Sequence, residues 1–380
     1  MNWIFKTVLL FLIFGVCVNI GFGQQTLVKT IMHDDQERRY ILYIPAIYND
    51  QKSAPLVFNF HGFTSNAQQQ MSYGDFRPIA DTAGFIIVHP FGLLDNAGNT
   101  HFNVGWGGSD VDDLGFTSVL IDSLAKDYKI DLDRVYSTGM SNGGFMSYHL
   151  ACNLSDKIAA IASVTGSMSF LTYDECNPNR PVPVLEIHGT TDLVVPYNGA
   201  SFAKSIDDVI SFWQAHNQCK LTPLETLLDD IDPSDGSTVT HFVYSEGNQQ
   251  VNTELFKITG GGHTWPGNQF NTPSTNYDID ASLEVWNFFN RYDINGLRTT
   301  TSSENVIKKR NSVYPNPSNG NITITNIESK ESTFILFNSI GQSLKKGVIK
   351  TGQSNIDCSA FANGIYILMI ENEMHSIIKL

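Results

Sequence analysis

Beyond residue 23 no apolar run approaches the length of a membrane span, so the rest of the chain reads as soluble protein with no stable membrane insertion. Positive charge is scarce: 24 Lys and Arg stand against 38 Asp and Glu, a net charge of −14. Such a chain lacks the cationic face that phosphates require. Nucleic acid is therefore excluded as a partner, and the acidity reads as solubility. Cysteine is sparse, with no C-x-x-C pair and no cysteine–histidine spacing of the zinc kind. The acidic stretch at 110–113 lacks the glycine and oxygen spacing of a calcium loop, so Asp112-Asp113 reads as a helix start. Neither a metal nor a cofactor is expected.

The chain ends are distinctive. Lys6 is the only charge in residues 1–23, residues 8–18 are apolar, and Gly21-Phe22-Gly23 offers small residues before Gln24. This pattern is a signal peptide and implies export. Near the other end, residues 299–303 form a Ser/Thr run followed by Lys308-Lys309-Arg310. Charge shifts there from strongly acidic to slightly basic, which marks a linker. The expected division is a signal peptide at 1–23, a large domain at 24–293, a linker at 294–310 and a small domain at 311–380. A hydrophobic content of 42% supports a sizeable core. After export Cys152, Cys176, Cys219 and Cys358 remain, and four cysteines allow three complete pairings. Cys152 with Cys176 is the closest pair in sequence within one domain, and Cys219 and Cys358 are expected to be free.

Short apolar runs at 56–60, 85–89, 135–138, 158–164, 182–187 and 256–258 alternate with helix-like segments at 116–128, 145–152, 205–216 and 279–292. An opening hairpin turns around His33-Asp34-Asp35. Buried strands alternating with helices predict an α/β fold, a mostly parallel sheet with helices on both faces. In such sheets ligands bind where loops converge at the carboxyl ends of strands. Polar groups follow Phe60, Thr138, Ile187 and Ile258.

The second of these loops is Gly139-Met140-Ser141-Asn142-Gly143. It has the G-x-S-x-G form of a nucleophile elbow, which exposes a serine on a strained strand-to-helix turn. Small residues two before and two after are required because strand and helix nearly collide there. The serine needs a base, and His263 fits, on a loop made compliant by Gly260-Gly261-Gly262. The imidazole needs an anionic partner, and Asp192 follows the 182–187 run; Asp229, Asp230 and Asp232 are rivals with no strand before them. The order Ser…Asp…His is the one used by α/β-hydrolases. Two amides are candidates for an oxyanion hole: Asn142, at the helix start, and Phe63, in His61-Gly62-Phe63-Thr64. His61 is expected to orient that loop and His188 to be structural. Trp106 and Trp265 are candidate pocket walls for substrate binding.

Together these motifs resemble the secreted esterase family that includes poly(3-hydroxybutyrate) depolymerases, feruloyl esterases and acetylxylan esterases. The matching pieces are Phe60-His61-Gly62, Gly105-Trp106, Val111–Phe116, Gly139–Gly144, Glu186–Asp192 and Gly261–Gly267, in order. The resemblance implies the α/β-hydrolase fold, a triad of Ser141, Asp192 and His263, and a Cys152–Cys176 bridge. Cys219 departs from the pattern, having no partner before His263 where some relatives offer one. The last 70 residues resemble something else. Val313-Tyr314-Pro315-Asn316-Pro317, Gly320–Ile324, Leu336-Phe337-Asn338, Gly341-Gln342 and Gly364–Leu368 are similar to the type A C-terminal sorting domain of the type IX secretion system. Read from the residues alone, they are short strands of a small all-β sandwich. A polymer-binding module is disfavoured because the segment has no Trp and its aromatics Phe334, Phe337, Phe361 and Tyr366 sit in apolar runs.

The expectation is a secreted serine carboxylic-ester hydrolase whose partners are an ester substrate and the type IX secretion machinery, and which reaches the cell surface or medium through the outer membrane. Feruloyl or acetyl esters of plant polysaccharide are favoured over a polyester, because no separate surface-binding module is visible. The competing readings are an inactive binding protein on a hydrolase scaffold and a peptidase of that scaffold. All three triad members are present, which opposes the first. No propeller or large lid segment accompanies the domain, which opposes the second.

Overall fold

A computed structural model describes residues 24–298 except 271, and residues 311–379 except 315–317, 319, 327–330, 339–342 and 371–372. The segment read as a signal peptide and most of the linker lie outside the described residues. The chain divides into two compact units after Arg298.

The first unit opens with β1 (Gln25–His33) and β2 (Gln36–Ile44), an antiparallel hairpin. Its two-residue turn is Asp34-Asp35, with φ of 49° and 57°. Both angles are left-handed, as a tight hairpin turn demands, and Asp tolerates them better than most residues. In chain order there follow β3 (Ala54–Phe60), α1 (Ala67–Tyr73), α2 (Arg77–Ala83), β4 (Ile86–Pro90) and the short pair β5 (Leu93–Leu94) and β6 (Thr100–His101). Next come α3 (Asp113–Asp127), β7 (Ile130–Met140), α4 (Asn142–Asn153), β8 (Ala160–Val164), α5 (Phe170–Glu175) and β9 (Val184–Gly189). The unit closes with α6 (Ile206–His216), β10 (Leu224–Leu227), β11 (Thr238–Tyr244), β12 (Thr253–Thr259), α7 (Ala281–Phe289) and the short pair β13 (Tyr292–Asp293) and β14 (Gly296–Leu297).

Ten strands form one sheet in the order β1-β2-β4-β3-β7-β8-β9-β12-β11-β10. The six from β4 to β12 are parallel, and the two strands at each edge pair antiparallel. Alternation along each strand divides the core. Leu56, Phe58 and Phe60 face one layer with Phe116 and Leu120 of α3, Phe145 of α4 and Trp213 of α6. Val57 faces the other, with Phe76 just before α2, Ala80 of α2 and Val285, Trp286 and Phe289 of α7. Successive side chains of a strand point to opposite faces, so a sheet buried on both sides must be apolar throughout. β3 is buried at every position. This is the α/β-hydrolase fold, with β7 at the centre of the sheet.

The outer strands β10 and β11 are antiparallel, and β10 ends just before Asp229, where the sequence reading expected no strand. Leu224 and Leu227 are exposed, so β10 carries no apolar alternation to announce it. Folded chain also runs past Asp293: the hairpin of β13 and β14 returns it, and Arg298 N–H donates to the Arg291 carbonyl at 2.9 Å. Described folded backbone therefore continues through residues 294–298, which the sequence reading placed in the linker.

Among its described residues the second unit is all β. β15 (Asn311–Tyr314), β16 (Asn321–Asn326) and β19 (Gly352–Asp357) form one antiparallel sheet. β17 (Ser332–Asn338), β18 (Ser343–Ile349), β20 (Gly364–Ile370) and β21 (Glu373–Lys379) form the other. Ile322, Ile324, Phe334, Leu336, Tyr366 and Leu368 share one core between them. Phe361 packs against that core, whereas Phe337 is half-buried.

Candidate active site

β7 stops at Met140, and α4 starts at Asn142. The residue between them, Ser141, has φ 55° and ψ −121°. A non-glycine residue held there is strained and persists only where its surroundings enforce it. Here they do. Ser141 N–H donates to the Val164 carbonyl of β8 at 2.9 Å. A Cβ on Gly139 would lie 2.5 Å from the Phe60 carbonyl oxygen, and one on Gly143 would collide with that same oxygen. One on Gly144 would lie 2.5 Å from Ser163 Oγ. The three glycines thus let α4 start against the backbone of β3 and the β8 end.

The loop after β3 lies against the serine. A Cβ on Gly62 would sit 3.4 Å from Ser141 Cβ. The Thr64 and Ser65 amides are engaged by the Thr100 and Gly62 carbonyls at 2.8 and 3.1 Å. His61 is buried and fixes the loop by its tautomer: Nε2 accepts from Gly92 N–H at 2.9 Å, so the proton sits on Nδ1 and is donated to the Gly62 carbonyl at 2.7 Å. Burial lowers the pKa of His61 to about 4, keeping it neutral. The Asn142 side chain ties α4 to the 102 segment, accepting from Phe102 N–H at 2.7 Å and donating to its carbonyl at 3.0 Å. As the first residue of α4, Asn142 has no intrahelical acceptor for its own N–H.

His263 and Asp192 come from separate loops and meet. His263 Nδ1 lies 2.7 Å from Asp192 Oδ2. The other oxygen, Oδ1, accepts the Val194 and Val195 amides, each at 2.8 Å. Two threonines lace the loops together. Thr190 Oγ1 accepts from Gly260 N–H at 3.0 Å, and Thr191 Oγ1 lies 2.9 and 2.8 Å from the Gly260 and Gly261 carbonyls. A Cβ on Gly189 would collide with the Gly261 carbonyl, and one on Gly261 would lie 2.5 Å from Ile258 Cγ2. Asp229, Asp230 and Asp232 lie elsewhere; the Ile231 and Asp232 amides donate to Asp278.

Ser141 and His263 line one cavity of about 770 Å³, together with Gly62, Phe63, Met140 and Val194. Tyr73 and Phe270, stacked with centroids 5.9 Å apart, form part of its wall. Phe63 is exposed, its ring edge-on to Trp106 at 6.4 Å. Neither tryptophan is among the lining residues. Trp265 is 1% exposed, donates from Nε1 to Ser282 Oγ at 3.1 Å and packs edge-on against Phe76. It is core beneath the site, whose α1 neighbour must end in glycine: a Cβ on Gly74 would lie 2.9 Å from its ring. Trp106 is half-buried against Phe145 and donates to the Phe202 carbonyl at 3.1 Å. Cys152, in α4, is bonded to Cys176, just after α5; Cys219 and Cys358 are free and buried. Tyr73, Phe270, Thr190 and Thr191 were not singled out from sequence. The threonines adjoin Asp192 in an obvious loop, whereas nothing in the local pattern marks Tyr73 or Phe270.

Residues 115–246 match the Phospholipase/Carboxylesterase family model, and residues 312–380 match the Secretion system C-terminal sorting domain. Within the α/β-hydrolase fold, residues 115–246 are thus similar to carboxylesterases, and residues 312–380 are similar to C-terminal sorting domains. Among characterised proteins it is similar to a bifunctional acetylxylan esterase/xylanase of Neocallimastix patriciarum, 27% identical over 256 residues. That match covers 67% of this chain and 34% of the relative. Feruloyl esterase B of Piromyces equi is 30% identical over 237 residues, 60% of this chain and 42% of the relative. Feruloyl esterase D of Neurospora crassa is 27% identical over 270 residues, covering 68% and 83% of the two chains. The chain thus spans less than half the length of the first two relatives.

Proposed function

We propose that this protein is a secreted serine carboxylic-ester hydrolase in which Ser141 is the nucleophile, His263 the general base and acid, and Asp192 the group that orients and stabilises the imidazolium. The observation that carries this reading is the 2.7 Å His263–Asp192 bond at the cavity that the Ser141 elbow also lines. Asp192 sets the proton on Nδ1 of His263 and leaves Nε2 to take the serine proton. Ser141 Oγ then attacks the ester carbonyl. The carbonyl oxygen becomes an anion, for which the Asn142 and Phe63 amides are the proposed donors. His263 returns the proton to the leaving alcohol. Water, activated by the same imidazole, releases the acid and restores the serine. No other group is needed to balance either step.

The favoured substrates are feruloyl or acetyl esters on plant polysaccharide, in keeping with the names of the relatives and the largely apolar, aromatic-walled cavity. A polyhydroxybutyrate-type polyester is the alternative. Residues 1–23 act as the signal peptide, 24–298 as the catalytic domain, and 311–380 as the sorting domain that hands the protein to the type IX machinery for passage across the outer membrane. The test is product release from methyl ferulate, acetylated xylan and amorphous polyhydroxybutyrate, with Ser141→Ala in parallel. Turnover of one of the first two, abolished in the variant, is expected. Release from the polyester alone would replace the substrate, and activity retained in Ser141→Ala would remove the mechanism.

A further inference from the structure

We propose that Glu186 and His188 form a buried charged pair whose imidazolium holds the Asp192 turn in place, which makes both of them positioning residues for His263. The proposal rests on the triad reading above. Glu186 and His188 lie two apart on β9, hence on one face of the sheet, and neither is exposed. His188 Nδ1 lies 2.9 Å from Glu186 Oε1, and Nε2 lies 2.8 Å from the Val195 carbonyl. A carbonyl only accepts, so Nε2 carries a proton in every state. Glu186 Oε2 accepts the Tyr148 hydroxyl at 2.8 Å. One proton remains between Oε1 and Nδ1. Imidazole ordinarily binds a proton about two pKa units more firmly than a carboxylate. Asp192 Oδ2, 3.6 Å from His188 Nε2, adds a second anion on the imidazole side. Burial pulls the His188 pKa down and pushes that of Glu186 up, but Glu186, the Val195 carbonyl and Asp192 together raise that of His188, while bonds from His188, Ser163 and Tyr148 favour the Glu186 anion.

The pair reaches Asp192 through Val195. The Val195 carbonyl accepts from His188, while its N–H donates to Asp192 Oδ1. Asp192 therefore stands between two imidazoles, a fixed cation and the working base. The other titratable or polar groups around the pair are Tyr148 on α4, Ser163 on β8 in register with Glu186, and Tyr197, whose ring is 6.0 Å from that of His188. Lys257, in register with His188 on β12, has its Nζ over the Tyr197 ring at 4.8 Å, and the Tyr197 hydroxyl donates to Asp207. With Glu186 as counter-ion behind it, the positive end of the pair points at Asp192. Neutralising His188 would therefore remove a positive charge from beside the Asp192–His263 bond.

Glu186→Gln separates charge from shape. The amide keeps an oxygen for Tyr148 and an N–H for Nδ1, so His188 becomes neutral while Nε2–H stays on Val195. Two readouts on the full chain decide the matter. Nitrogen-15 spectra of histidine-labelled protein at pH 8 should show one imidazole protonated at both nitrogens, its signals absent from His188→Asn and converted to a neutral pattern in Glu186→Gln. In p-nitrophenyl acetate hydrolysis, Glu186→Gln should lower kcat about tenfold at unchanged KM and move the acidic limb of the pH profile up by about half a pH unit. A neutral His188 in the wild type overturns the proposal, as does a Glu186→Gln profile with the wild-type acidic limb. A wild-type enzyme without esterase activity would sink the triad reading instead, and the nitrogen spectra would still decide the pair.

Discussion

Gly143→Ala tests how the serine is presented. The added methyl would collide with the Phe60 carbonyl oxygen, lie 2.6 Å from the Phe60 carbonyl carbon and lie 3.0 Å from the His61 oxygen. These are backbone atoms at the end of β3, beside β7, and no side-chain rotation relieves the overlap. Either α4 moves off the sheet or the elbow relaxes, and both displace Ser141. Overpacking of this kind costs about 1–3 kcal/mol, and a contact with backbone belongs at the upper end. For a domain of this size about 3 kcal/mol lowers Tm by roughly 6–12 °C. Gly236→Ala is the matched control: Gly236 has φ 74° but nothing within 4 Å of the added methyl, so it loses only the left-handed preference, about 1 kcal/mol. The assay is thermal unfolding followed by circular dichroism, with p-nitrophenyl acetate hydrolysis at 25 °C. Gly143→Ala should lose both stability and most of its activity, whereas Gly236→Ala should keep its activity. A Gly143→Ala protein with wild-type Tm and rate would refute the packing argument.

Asp192→Asn keeps the side-chain size but turns a donor toward His263 Nδ1, so the imidazole holds its proton on the nitrogen that should face the serine. kcat should fall about 10³–10⁴-fold with little change in KM, measured by steady-state kinetics at pH 8. Stability should drop in acid. Burial lowers the pKa of His61 and His149 to about 4 and that of His89 to about 3. Unfolded histidine takes a proton below about pH 6.5 while these native ones refuse it, so stability declines as pH falls from about 6.5 towards 4. Each group contributes about 1.4 kcal/mol per pH unit in that window. Urea unfolding at pH 8, 6 and 5 should show a falling midpoint, and a flat series would contradict this. Replacing both Cys152 and Cys176 by Ala releases a loop of sequence separation 24 and should cost about 3 kcal/mol in the urea titration, with activity at 25 °C retained.

Much of this candidate site is legible in the sequence because it is written in backbone constraints. Gly139 and Gly143 are forced by the collision of strand and helix, and the glycine run before His263 by the close approach of the loops at Gly189 and Gly261. Asp192 was legible as the carboxylate after a buried strand. His188 was rightly read as belonging to the strand end, but its carboxylate partner two residues before it looked like any strand residue. Trp265 shows the converse. Two positions from His263, it reads as pocket wall, yet Phe76, Gly74 and Ser282 enclose it, and those contacts span distant parts of the chain. The β10 edge was invisible because an exposed edge strand needs no apolar alternation. The Arg38–Asp113 ion pair, buried at 2.5 Å, was hidden for the same reason as Glu186: a sequence shows a charge but not its partner.

The most direct measurement is covalent labelling of the full chain with a fluorophosphonate, read by intact mass and by mass spectrometry of the peptide containing Ser141. The account predicts one adduct per chain, on Ser141, formed in step with loss of p-nitrophenyl acetate hydrolysis and slowed strongly in His263→Ala. An active protein that carries its adduct on another residue, or that takes none, would contradict it.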